Sequence, residues 1–364
     1  MAALRTVVPG LEEAARQRFG DSLASRQADL RRLADRISVG GPAPEDWTSL
    51  RQTRQQCTTL AREYLAFAQG GLARQAGLDG GMLQIADAFI AELSQRVKVR
   101  WEPLTVLAET EWYGEEAQII RLRFPDARIW DLPVAAHEFG HFAGPRLEAG
   151  TVTGRTWDLS YPVADMLRRE LGRGRVEWSR AHEYFADAFA VYLAGPAYAC
   201  ACLLLRFDPG VPDADGPTHP SYAKRAYLMA RTLEKMDQAG ATTFYVGVVR
   251  QLQERWRASM TEAAADSQRI AGLEAAVAAD AEPRVGEMWE LLQATVPAQL
   301  YGGMAAAQAV KAALFGGSPT PPGAAGGSPV TLADAQPFSR GRIVFPGQYG
   351  FGLVLRGGLT TELC

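Results

Sequence analysis

The chain has 364 residues, 47% hydrophobic and 22% charged, proportions close to those of globular proteins, which excludes collagen-like, mucin-like and intrinsically disordered classes. Lys and Arg number 38 against 41 Asp and Glu, so a net charge of -3 provides no global positive field to collect nucleic acid or anionic lipid. The length admits one large or two ordinary domains with a substantial buried core.

From Leu11 to about Arg100 apolar residues recur with helical spacing, interrupted at Gly40-Gly41-Pro42-Ala43-Pro44 and at Gly80-Gly81, which predicts a helical N-terminal lobe over residues 1–100. Glu12 and Glu13 fall where a secretion signal would still be apolar. Between Trp101 and Trp130 the period shortens: PLTVLAETEW and AQIIRLRF are β-rich runs separated by Tyr113-Gly114, predicting a hairpin or small sheet. Asp131 then caps a short helix with Pro133 in its first turn, and Gly144-Pro145 stops it. Further helices are expected at 161–171, 178–205, 221–238, 243–275, 283–295 and 303–314, with breaks at DPGVPDADGPTHP and at Ala281-Glu282-Pro283.

Ala188 to Leu205 approaches the length of a membrane span, but Gly195-Pro196 interrupts it and Ala, Cys and Tyr dilute its hydrophobicity. A buried, kinked core helix is expected there, with no stable membrane insertion. Cys57, Cys200, Cys202 and Cys364 form no disulfide framework, so reduced thiols and a cytoplasmic location are expected. Residues 316–328 (GGSPTPPGAAGGS) read as a flexible Gly/Pro linker and 329–364 as a tail or small β module, leaving 101–315 as the core.

His137-Glu138-Phe139-Gly140-His141 is an HExxH motif on the short helix. The i,i+4 spacing puts both imidazoles on one face, where they can share a metal, with Glu138 beside it but not ligating. Two neutral histidines and a third protein ligand would hold Zn2+ and leave one position for water, acidified toward a pKa of about 7. Glu138 would take that water's proton as general base and return it to the leaving amine.

A second segment, Ser179-Arg-Ala-His-Glu-Tyr-Phe-Ala-Asp187, sets Glu183 and Asp187 one turn apart on one helix face, at the entrance to the apolar run. Unpaired carboxylates there would carry a penalty of several kcal/mol, which a nearby metal and its ligands would offset. Glu183 is therefore expected as third zinc ligand and Asp187 as the acceptor that orients a zinc histidine through its distal N–H. His182 points about 100° away from Glu183 on an ideal helix and is expected to play a supporting role. Tyr161, Trp157 and Tyr222 are cleft candidates, though aromatics at helical spacing are more often core.

HExxH followed by a Glu-x-x-Ala-Asp-x-x-Ala helix resembles the gluzincin metallopeptidases, in particular the branch of the CAAX prenyl endopeptidases and HtpX-like peptidases. Thr218-His219-Pro220-Ser221 with Arg225 is similar to the His-Pro-x-x-x-x-Arg segment of that branch. These segments span about 137 to 225. The resemblance implies a zincin-like core with a small β-sheet beside the HExxH helix, with His219 and Arg225 in the active-site wall, Arg225 standing with Asp187 behind the ligands and His219 stabilising the oxyanion. In zincins an edge strand beside that helix binds substrate as an added strand, a role expected for Gln118 to Phe124. Many members of the branch embed the catalytic domain among membrane helices, so a prenylated or membrane substrate is not carried over.

The sequence thus reads as a predominantly helical α+β zinc endopeptidase acting on protein or peptide substrates, without nucleic acid as partner. A catalytically silent zinc scaffold that binds peptides or a partner protein is a second reading, against which the retained Glu138 argues. A latent enzyme regulated through the N-terminal lobe or the 329–364 tail is a third.

Overall fold

The N-terminal periodicity produces three helices, α1 (Glu13–Gly40), α2 (Pro44–Gln75) and α3 (Met82–Val97), separated at the two Gly-rich breaks. The computed structural model describes residues 13–296 except 42, 80, 102–104, 110–111, 115–117, 124–131, 151–159, 241–244 and 265–266. Asp131, Trp157, Cys364, the helix expected at 303–314, the linker and the tail lie outside the described residues. Pro44 begins α2, and Asp46 Oδ2 accepts from the Ala43 N–H at 2.9 Å, so the residues that break one helix start the next.

The chain divides into two compact units, Met1–Asp87 with Pro103–Ala127, and Ala88–Glu102 with Arg128–Cys364. In the first, Phe19, Leu60, Phe67, Val106 and Ile119 form a buried cluster joining α1 and α2 to a small sheet. Strands β1 (Thr105–Ala108), β2 (Trp112–Gly114) and β3 (Ile119–Arg123) lie in the order β1-β3-β2. This sheet groups with the N-terminal helices, whereas the sequence pattern assigned it to a core over 101–315. Tyr113-Gly114, expected to separate two strands, is itself part of one, because Tyr113 pairs with Ile120.

The strand role expected for Gln118 to Phe124 requires correction. β3 is central, parallel to β1 with Thr105 opposite Ile120, and antiparallel to β2 with Trp112 opposite Arg121. At Ile120 and Arg121 it is paired on both sides, so among the described residues that part of the strand offers no free edge for an added substrate strand, and Phe124 lies outside the described residues.

The second unit is helical. α4 (Leu132–Ala143) ends in a 3-10 turn, Gly144–Arg146, and is followed by α5 (Pro162–Arg173), α6 (Arg175–Ala194), α7 (Pro196–Leu205), α8 (Tyr222–Gly240), α9 (Val246–Ala264) and α10 (Ser267–Thr295). The single helix expected at 178–205 is two, because Gly195 at φ 63° takes a conformation that residues with a Cβ rarely adopt, and Pro196 starts a new helix. The break expected at 281–283 is absent: Pro283 lies inside α10, where Ala281, Val285 and Met288 are buried. Burial on both sides of the proline outweighs its lost N–H, a tertiary override of local preference. Among the described residues no helix is long and apolar enough to cross a membrane.

α6 is the central helix, packed against α4, α5, α7, α8 and α10. Phe139 and Phe142 of α4 meet Trp101 edge-on at 6.1 and 4.5 Å, while Phe139 also packs against Phe189 of α6 at 6.0 Å. Burying each such side chain contributes about 1.5–3 kcal/mol. At the α4–α6 crossing, a Cβ added at Gly140 would lie 3.1 Å from Ala186 Cα and 3.1 Å from Phe189 Cδ1. The glycine inside HExxH therefore sets how near the two motif helices can come. Gly140→Ala is expected to lower stability by about 1–3 kcal/mol through overpacking, measured by denaturant unfolding. An unchanged midpoint would show that the helices can part without loss.

Candidate metal centre

α4 forms from an apolar stretch whose polar exceptions are the motif residues: His137 and Glu138 are buried, and His141 is half-buried. One helical turn brings the two imidazoles together, with His137 Nε2 and His141 Nε2 3.2 Å apart. Across the close crossing, Glu183 of α6 faces both, its Oε2 3.4 Å from His137 Nε2 and its Oε1 3.4 Å from His141 Nε2. His137, His141 and Glu183 form a group that could hold a metal ion. A tetrahedral ion with ligands at about 2.0–2.1 Å separates neighbouring ligand atoms by about 3.3 Å, close to these three spacings.

Glu183 supplies an independent test of fit. Its Oε2 is buried and has no hydrogen-bond partner, a costly state for a carboxylate oxygen unless a cation satisfies it. Burial alone would raise the Glu183 carboxyl, but the imidazoles of His141 and His137 outweigh it and hold the group well below the usual carboxylate range. Burial would likewise lower His137, yet the facing carboxylates of Asp187 and Glu183 raise it to about 10. Both shifts have one cause: the surroundings favour positive charge at the imidazoles and negative charge at the carboxylates.

Behind the triad lies a fully buried carboxylate. Asp187 Oδ1 is 3.0 Å from His137 Nδ1, the nitrogen turned away from Glu183. Arg225 of α8 clamps Asp187 with two hydrogen bonds, Nε to Oδ2 at 2.7 Å and Nη2 to Oδ1 at 2.8 Å. Burial would raise the Asp187 carboxyl, but the guanidinium dominates and brings it down to about 2. Arg225, expected in the active-site wall with Asp187, is buried and sits behind the candidate ligands, where it neutralises Asp187. Tyr198 of α7 joins the group, donating to Asp187 Oδ1 at 2.6 Å and lying 2.9 Å from His137 Nδ1. Sequence reasoning missed Tyr198; the available signal was a hydroxyl in the apolar run just after the Gly195-Pro196 break.

His219 is brought to the front of the same cluster. Its side chain is 53% exposed and its Nε2 lies 3.4 Å from Glu183 Oε1. The loop that carries it is tied at both ends: Arg180 of α6 donates to the Gly216 carbonyl at 3.0 Å, and Asp215 accepts from the Ser221 N–H at 2.8 Å and from Lys224 at 2.9 Å. Burial lowers the His219 imidazole, so it is neutral near pH 7. His182 supports His141, donating Nε2–H to its carbonyl at 3.1 Å with the rings edge to face at 4.4 Å. Burial and the neighbouring His141 hold His182 down to about 3, so it is neutral. Tyr222 stacks on Phe207 at 4.8 Å as core, and exposed Tyr161 donates to Glu148 at 3.1 Å.

Removing a ligand should cost more than the roughly 10–100-fold loss typical of an outer partner, so Glu183→Ala is expected to weaken metal binding by more than about 100-fold in chelator competition. Retained tight binding would remove Glu183 from the ligand set. Arg225→Met leaves Asp187 buried without its cation and is expected to cost the apoprotein about 3–5 kcal/mol at neutral pH. With Arg225 present, the depressed Asp187 carboxyl contributes stability above its unfolded value near 4, lost as pH falls toward 2. Without it, burial raises the carboxyl, so the deficit of the variant should shrink as pH falls and Asp187 takes a proton; a deficit that grows on acidification would contradict this. Comparison with protein-family models, curated proteins and solved structures finds no match, so the chemistry rests on the geometry of these side chains.

Proposed function

We propose that this protein is a zinc-dependent endopeptidase with a gluzincin-like site, acting on protein or peptide substrates. The observation that carries the reading is the convergence of His137, His141 and Glu183 at ligand spacing, with Glu138 buried on the same helix between the two histidines. A donor set of two imidazole nitrogens and one carboxylate oxygen on a helical frame suits zinc among the common divalent ions, and a set of three protein ligands is the pattern of catalytic rather than structural zinc. The acid Glu138, next to a ligand in HExxH without being one, favours a catalytic over a purely structural site.

A bound zinc ion supplies Lewis acidity, lowering the pKa of water to about 7 and polarising the substrate carbonyl. Glu138 accepts the proton as water adds to the carbonyl carbon, then delivers it to the amine as the C–N bond breaks. His219 is suited to stabilise the oxyanion: Thr218 Oγ1 lies 2.7 Å from its Nδ1, so a hydroxyl donated to Nδ1 leaves Nε2–H directed at the cluster. Asp187 holds His137 in the tautomer that leaves Nε2 for the metal.

Metal analysis of purified wild type and Glu138→Gln, with cleavage of an unbiased peptide library by the same samples, tests the proposal. One zinc in each and cleavage by wild type alone is expected. Zinc in neither would overturn the site, and zinc in both without cleavage would replace the peptidase with a binding scaffold. His219→Ala should keep its zinc and lose about 100-fold or more in kcat; an unaffected rate would remove His219 from the reaction.

A further inference from the structure

We propose that Tyr198 is a positioning residue of the metal centre, fixing the His137 imidazole through its hydroxyl and its ring. The inference rests on the metal-site reading above and extends it to a residue outside the motifs. α7, PAYACACLLL, is apolar almost throughout, and Tyr198 is 1% exposed. A buried tyrosine hydroxyl needs partners, and this one has two that belong to the site. Its proton is committed to Asp187 Oδ1 at 2.6 Å, which leaves its oxygen to accept from His137 Nδ1 at 2.9 Å.

Nδ1, the hydroxyl oxygen and Asp187 Oδ1 thus form a closed triangle, whose third side is 3.0 Å. Oδ1 of Asp187 already receives Arg225 Nη2 and the Tyr198 hydroxyl, so the His137 Nδ1–H is shared between that oxygen and the hydroxyl oxygen. The hydroxyl spreads the Nδ1–H over two acceptors and keeps Nε2 as the metal-facing nitrogen. The ring adds a second constraint: it lies within 16° of parallel to the His137 ring, with centroids 5.7 Å apart. The turn at Gly195 and Pro196 reverses the chain after α6, so that α7 packs against α4 as well as α6 and carries Tyr198 back to Asp187. A tyrosine that only filled space would need no contact with a histidine nitrogen.

Cobalt(II) tests this directly, since its visible absorption reports ligand geometry and chelator competition gives its affinity. Tyr198→Phe keeps the ring and removes the hydroxyl; it is expected to bind cobalt about 10–100-fold more weakly, with an altered visible spectrum. Tyr192→Phe removes another buried hydroxyl, one that accepts from Gln293 at 3.2 Å, and should change neither readout. In an Asp187→Asn background, Tyr198→Phe should add much less than it does alone, because the two act as one relay.

A core-filling role would lower the apoprotein melting temperature while cobalt affinity and spectrum stayed as in wild type, and that result overturns the inference. If Tyr198→Phe is too unstable to assay, unchanged cobalt affinity in Asp187→Asn overturns the relay equally. Wild type that takes up no cobalt overturns the metal reading itself, and this inference with it.

Discussion

Asp187 has no exposed surface and carries a charge, and satisfying that charge commits four helices. The carboxylate stands on α6, its countercharge Arg225 on α8, its hydroxyl donor Tyr198 on α7, and the imidazole it orients, His137, on α4. In a low-dielectric interior an unmet carboxylate would cost several kcal/mol, so these helices cannot shift independently. The bidentate guanidinium adds a fixed planar geometry to the charge balance. The metal centre inherits its rigidity from this buried ion pair, which stands one layer behind it.

The same balance leaves an electrostatic remainder. Glu183 and Asp187 are two carboxylates against one permanent cation, Arg225, whose Nη2 is 3.6 Å from Glu183 Oε2. The rest of the negative charge is directed at the paired imidazoles, which accounts for the raised proton affinity of His137. A divalent ion at the three ligand atoms meets the same demand without a proton. Site and scaffold are therefore one electrostatic problem: Arg225 neutralises the rear of the cluster, and a cation held by His137, His141 and Glu183 would neutralise the front.

Front and rear also differ in exposure, and the difference follows their work. Asp187, Tyr198 and Arg225 are buried, where water cannot compete for their hydrogen bonds. His219 stands half in solvent on a loop, and it is held there by Arg180, Asp215 and Lys224 rather than by packing. His182 braces His141 from its own side through a carbonyl and a ring edge, so the two histidines of the motif are secured by unrelated means.

Local patterns were enough to bring the candidate ligands into view. HExxH specifies its own geometry because helical periodicity alone stacks residues four apart, and the Glu183/Asp187 spacing does the same on α6. The helical fold class, the breaks at 40–44 and 80–81 and the stop at Gly144 were likewise legible, since they depend on periodicity, proline and glycine. What tertiary structure decided depends on contacts between segments distant in sequence. Nothing local shows that Pro283 is overridden by burial, that the run at 119–123 becomes a central strand, that Arg225 grips Asp187 through two hydrogen bonds, or that Tyr198 returns across a Gly-Pro turn to a histidine 61 residues earlier. Periodicity states which face of an element is apolar or charged; only packing decides which partner that face meets.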